Sequence, residues 1–189
     1  MHIKTHNIFS SPVFTGLLFC IISLSFSCAE NNLSDIEKMK EKEKLPLLVG
    51  KQVIIEYTDS AILQAKVYTN TLKEYTSPDN YTELPDGVYI EFYNSLGEIT
   101  TRMRSKYARL DKATDIMTAK DSVIVINENG EKLNTDKLHW NNTTKMLNTD
   151  AFVQISKKEE ILFGEGLEAN ESFTKYKILR PQGSIALQN

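Results

Sequence analysis

From Val53 onward the residues alternate with a period of two, and a chain with that period folds as β-strands or not at all. Val53, Ile55 and Tyr57 alternate with Ile54, Glu56 and Thr58. Leu63, Ala65 and Val67 alternate with Gln64, Lys66 and Tyr68, and Val88, Ile90 and Phe92 with Tyr89, Glu91 and Tyr93. These segments are rich in Val, Ile, Thr, Tyr and Phe, which suit a pleated, half-buried surface. No helical period of comparable length follows residue 50. Asp59-Ser60 marks a turn and Asn94-Ser-Leu-Gly97 a hairpin. Tyr75 to Asp86, with Pro78, Asp79, Asn80 and Pro85, reads as the longest loop.

The second half repeats itself. Ser105 to Ile126 aligns with Thr135 to Ser156 at an offset of thirty residues. Ala108 and Leu110 fall on Leu138 and Trp140, Met117 on Leu147, and Val123 and Val125 on Val153 and Ile155. A third copy starts near Leu167 and Ala169, one residue out of register. Each copy is a strand, a polar turn and a returning strand, the turns being Asp111-Lys-Ala-Thr, Asn141-Asn-Thr-Thr and Asn170-Glu-Ser. Such a unit exposes an apolar face and is stable only when stacked on its neighbours. The expected fold is all-β, an open β-jellyroll or flattened β-roll.

Composition narrows the function. The net charge of −3, from 22 Lys+Arg against 25 Asp+Glu, is not the basic excess of a nucleic-acid binder. Two Cys and three His cannot build a structural zinc site or a disulfide framework. Gly164-Glu-Gly166 lacks the strand-to-helix context and third Gly of a dinucleotide loop and reads as a bulge or turn.

The N-terminus reads as an address. Lys4, His2 and His6 precede an apolar run, Val13 to Phe26. The run is short of the ~20 residues a spanning helix needs and fits the ~7–15 of a signal-peptide core. Ser27-Cys28 directly after it resembles a lipoprotein processing site, although Ser25 stands where Leu or Val is usual. Expected boundaries are a signal peptide over 1–27, a lipidated tether over 28–50, a β-jellyroll over 51–180 and a C-terminal tail over 181–189. Cleavage before Cys28 leaves His139 as the single His and a blocked Cys28 sulfur. That excludes a Cys nucleophile and a multi-His metal site, and no motif pairs the plentiful acids for catalysis. The chain is expected to be no enzyme and to carry no cofactor or metal.

Asp121-Ser-Val-Ile-Val-Ile-Asn-Glu-Asn-Gly130, Leu133-Asn-Thr-Asp-Lys-Leu-His-Trp140, Asn148-Thr-Asp150 and Gly164-Glu-Gly-Leu-Glu-Ala169 resemble the LptC family of lipopolysaccharide-export proteins. These β-repeat signatures are shared with LptA and the periplasmic part of LptD, and the likeness covers about Val53 to Leu179. It implies a jellyroll open along one side, whose apolar interior holds lipid A acyl chains. It also implies receipt of lipopolysaccharide from the LptB, LptF and LptG transporter and delivery to an LptA-like bridge protein. The family's best-known members start with a transmembrane helix, whereas this chain reads as a lipid-anchored form, in the periplasm on the inner membrane.

The expected groove lining is Leu63, Ala65, Val67, Ile90, Phe92, Leu110, Met117, Val123, Val125, Leu138, Trp140, Leu147, Val153 and Ile155. Val88, Ala108, Ala119, Leu167 and Ala169 extend it. The period alone favours a closed core over a groove, the resemblance reverses that preference, and a closed β-sandwich lipoprotein binding glycans or proteins is the rival reading. The expected partner-docking edges are Val53, Ile55 and Tyr57 at one end, and Phe173, Tyr176 and Ile178 at the other. An open roll leaves unpaired backbone groups there.

The anchor is testable. Cys28→Ala is expected to release the protein from membranes or to leave an unprocessed precursor. Membrane fractionation with intact mass measurement decides it, and unchanged mass with unchanged membrane association would overturn the assignment.

Overall fold

The computed structural model describes residues 45–76 and 80–187. The signal peptide over 1–27, Cys28 and the tether as far as residue 44 lie outside the described residues. Eleven strands form one antiparallel sheet: β1 (Leu48–Asp59), β2 (Ile62–Tyr75), β3 (Tyr81–Leu84), β4 (Val88–Tyr93), β5 (Ile99–Ser105), β6 (Tyr107–Asp111), β7 (Ile116–Asn127), β8 (Lys132–Asn141), β9 (Met146–Ser156), β10 (Glu160–Asn170) and β11 (Tyr176–Ala186). The all-β jellyroll expected from the two-residue period is what the chain adopts. The thirty-residue repeat is the β6–β7 hairpin followed by the β8–β9 hairpin, with β10–β11 as the third copy.

Two expectations change. The stretch from Tyr75 to Asp86 contains a strand, β3, paired to the end of β2 and to β6. The alternation Tyr81-Thr-Glu-Leu84 is four residues long, and the surrounding Pro and Asn masked it. The sheet also starts at Leu48 and ends at Ala186, so part of the expected tether and most of the expected tail are strand. Pro181 did not end β11. It lies opposite Gly164 at a bulge on an edge strand, where proline is tolerated.

The sheet divides into two layers because its long strands change neighbours halfway. β2 pairs with β4 through Ala65–Tyr68 and with β3 through Lys73–Tyr75. β7 pairs with β6 through Ile116–Lys120 and with β5 through Ile124–Asn127. One layer therefore contains β3 and β6, the other β4 and β5. The layers face each other: Trp140, opposite Met117 in the first, meets Phe92 of β4 edge-on at 5.0 Å between centroids.

The bends between layers share a chemistry. At Thr69-Asn-Thr71 the Thr69 hydroxyl donates to the carbonyls of Thr71 (3.0 Å) and Gly87 (2.9 Å). At Ser105-Lys-Tyr107 the Ser105 hydroxyl donates to the Tyr107 carbonyl at 2.8 Å. At Thr135-Asp-Lys137 the Thr135 hydroxyl donates to the carbonyls of Lys137 (3.3 Å) and Phe152 (2.8 Å). At Thr149-Asp-Ala151 the Thr149 hydroxyl accepts from the Ala151 amide at 3.1 Å. Each hydroxyl pairs with a backbone group at the corner, which short side chains do best. β7 bends instead through Asp121 and Ser122, both left-handed at φ 62° and 56°. β10 bends at Gly164-Glu-Gly166, the bulge expected from its two glycines. Gly166 has φ +75°, and a Cβ on Gly164 would lie 2.3 Å from the Arg180 carbonyl oxygen, so β11 approaches only because that position is bare.

Thr135→Val keeps the shape of the β8 corner and removes its hydroxyl. We expect a loss of about 1 kcal/mol or somewhat more in urea unfolding, with the strand content unchanged by circular dichroism.

Candidate functional site: the apolar interior and its two free edges

Between the layers lies one apolar interior, built from the inward parity of every long strand. Among the expected lining residues, Ala65, Val67, Ile90, Phe92, Met117, Val123, Val125, Leu138, Trp140, Leu147, Val153 and Ile155 are all buried. Leu63 and Leu110 are half-buried. The parity read from the sequence is thus the inward one on all these strands. Their outward neighbours Ile124 and Gln154 are half-buried on the opposite face.

The interior also takes residues outside the expected lining: Leu84, Met103, Leu133 and Phe173 among them. Met103 stands between Arg102 and Arg104, and its alternation with them was a usable signal. Leu133 was hidden by its polar neighbours Lys132 and Asn134. Phe173 had no periodic signal, because it sits in the β10–β11 turn.

Trp140 is the hub. It is 1% exposed, and Tyr57 of β1 also meets its ring edge-on, at 5.4 Å. Edge-to-face pairs of this kind contribute about 0.5–1.5 kcal/mol each beyond burial. The indole N–H donates to Glu171 Oε2 at 3.1 Å. Burial pushes the Glu171 carboxyl above the usual carboxylate range, against the opposing pull of Lys145 and of the indole. Burial, with the Asp115 carboxylate adding to it, pushes the Tyr57 hydroxyl up to about 12. His139, outward of Trp140, shares its Nδ1 with the Thr118 hydroxyl at 2.9 Å, and burial lowers its pKa, as does Lys137.

The two ends of the interior are unfinished. β1 pairs only with β2 and β11 only with β10 among the described residues, so each presents a free edge. Val53, Ile55 and Tyr57 on β1, and Tyr176 and Ile178 on β11, pack against the core yet remain half-buried. Leu48 and Val49 at the start of β1 are 50% and 52% exposed, although neighbours on a strand face opposite ways. Phe173 departs from the expectation: it is not an edge residue. It is 0% exposed, precedes β11, and stacks on Tyr176 at 4.8 Å. Its φ of 50° is left-handed, which costs a residue with a side chain roughly 1–2 kcal/mol. Burial of its ring offsets that cost.

Two buried hydroxyls, Thr101 and Tyr176, lack a hydrogen-bond partner among the described residues. Two basic residues near the β11 end are engaged. Lys157 pairs with Glu160 at 3.2 Å and lies 5.5 Å from the Tyr176 ring centroid, and Arg180 pairs with Glu165 at 3.2 Å. The described residues contain no cluster of metal-ligating side chains.

Glu171 gives a pH prediction. Its folded pKa is raised, so the folded chain binds that proton more tightly than the unfolded one, and this group's contribution to stability falls as pH rises through the interval between the two values. Glu171→Gln keeps an oxygen for the indole N–H and removes the titration. Relative to wild type, the variant is expected to gain stability at pH 7.5 and to lose that advantage by pH 4. Urea unfolding followed by Trp140 emission measures the difference at each pH. A difference independent of pH would contradict the burial argument.

Comparison with known proteins agrees with this architecture. The chain matches the family model LptC, described as lipopolysaccharide-assembly, LptC-related, over residues 15–180. No curated protein matches it. The family match spans most of the chain, from before Cys28 to the middle of β11, and the chain belongs to the LptC-related family and is a component of lipopolysaccharide transport.

Proposed function

We propose that this chain is the periplasmic lipopolysaccharide-binding component of the export machine. It takes lipopolysaccharide from the LptB, LptF and LptG transporter and passes it to an LptA-like protein. It is held at the inner membrane by lipidated Cys28, and it works as a binding module without catalysis. The observation that carries this reading is the unfinished interior. An apolar interior that runs to a free edge at both ends suits a segment of a longer trough better than a self-contained core.

The chemistry fits acyl chains. The lining is aliphatic and aromatic, so it accepts a hydrocarbon chain without sequence-specific recognition. Each methylene buried contributes about 0.8 kcal/mol, and transfer onward requires only that the next trough offer similar affinity. The unpartnered hydroxyls of Thr101 and Tyr176 could donate to an ester or amide carbonyl of the lipid, relieving the penalty of leaving them unpaired. β1, which follows the tether, is the edge for a β-roll of the transporter, such as that of LptF. β11 is the edge for the LptA-like partner. Strand addition supplies main-chain hydrogen bonds on both sides and continues the interior across the junctions.

A photo-crosslinking residue placed in turn at Val123, Val125, Val153 and Ile155, and at the outward positions Ile124 and Gln154, tests the reading. Lipopolysaccharide is expected to label the first four and to spare the other two. Equal labelling of both parities would show that the interior does not carry the lipid.

A further inference from the structure

The interior is filled by its own side chains. Val125, Leu147, Val153, Ile155 and Leu167 are all at 0% exposure. A lipid chain can enter only if something leaves, and the structure offers two ways. Parting two strands breaks a run of ladder hydrogen bonds, because neighbouring long strands pair along most of their length. Moving the β10–β11 turn breaks far fewer.

That turn is a unit in itself. The Asn170 side chain accepts from the amides of Thr174 (3.1 Å) and Lys175 (2.8 Å), and donates to the hydroxyls of Ser172 (2.6 Å) and Thr174 (3.0 Å). The Phe173 amide donates to the Asn170 carbonyl at 2.9 Å. These bonds travel with the turn. Three others tie it to the rest of the roll. Asn127 Nδ2 donates to the Phe173 carbonyl at 2.8 Å, the Trp140 indole donates to Glu171, and the Glu171 amide donates to the Lys145 carbonyl at 3.0 Å. Asn127 belongs to the layer of β5, while Trp140 belongs to the layer of β6. The turn therefore clips the two layers together, with the Phe173 ring between them.

We propose that the β10–β11 turn is a movable plug, and that withdrawal of Phe173 from between the two layers opens the interior to an acyl chain at the β11 end. The inference rests on the interior being the lipid site. Phe173 is held in a left-handed conformation that its ring burial must sustain, so a hydrocarbon chain taking the ring's place removes the reason for that conformation. The vacated space is apolar and of aromatic size. Tyr176, the first residue of β11, stacks on the plug, so the plug sits beside the edge where the next roll docks.

Hydrogen exchange on the full chain tests the plug without lipid. The amide of Glu171, whose acceptor is the Lys145 carbonyl outside the turn, is expected to exchange at least tenfold faster than those of Leu167 and Ala169 in β10, through an opening that leaves β10 and β11 paired. Exchange of all three at one rate would overturn the plug. A second measurement uses lipopolysaccharide and the crosslinker at Ile155. Phe173→Ala and Asn127→Ala are each expected to raise the initial labelling rate severalfold, and Asn127→Ala leaves the aromatic core intact. Unchanged or slower labelling in both variants, folded by circular dichroism, would also overturn it. Absence of interior labelling even in wild type would refute lipid binding itself, and the exchange rates would then decide the plug alone.

Discussion

Each long strand belongs to both layers, and the rest of the structure depends on how it bends between them. A strand that changes sheets must interrupt its ladder, and every interrupted amide or carbonyl in a buried corner costs free energy unless another group pairs with it. Here Thr69, Ser105, Thr135 and Thr149 pair with backbone groups at the corners, from side chains short enough to reach them. Where no hydroxyl serves, as in β7 and β10, the chain uses left-handed residues or glycine. The bends bring the inward faces of both halves of each strand together, and the interior follows from that.

An interior assembled this way has no natural end along the stacking axis. Each added hairpin covers its neighbour and leaves its own far side open, so β1 and β11 are edges by construction. A closed barrel would remove them, and a short monomeric sandwich would blunt them with charge or a covering loop. This chain keeps half-buried Val53, Ile55 and Tyr57 at one end and Tyr176 and Ile178 at the other. The chain belongs to a lipopolysaccharide-assembly family, and in the proposed function these ends are where the trough continues.

The lining and the edges differed in how far they could be read in advance. Val123 and Val125, or Val153 and Ile155, sit on strands whose two-residue period survives on both sides of the bend, so their inward parity was legible. β3 was not, because four residues carry too little period to outweigh the prolines around them. Phe173 reads in sequence as part of the end segment that runs on through Tyr176 and Ile178. Its place in the interior depends on the turn held by Asn170 and on a bond from Asn127, which is distant in sequence. The corner hydroxyls left a trace in Thr135-Asp and Thr149-Asp, but a Thr-Asp pair in a polar stretch reads as a turn until the pairing of the flanking strands is known.

The sequence by itself determined the all-β class, the thirty-residue hairpin repeat, the inward side of the strands whose period it displays and the family to which the chain is similar. All of these follow from short-range periodicity, which a linear chain displays directly. Only the tertiary structure decided that β3 and β6 fill one path between β2 and β7 while β4 and β5 fill the other. It also decided that Trp140 gathers Tyr57, Phe92 and Glu171, and that Phe173 is buried in the interior. These depend on contacts between residues far apart in the chain, and the pattern within any one strand carries no record of which distant strand it will meet.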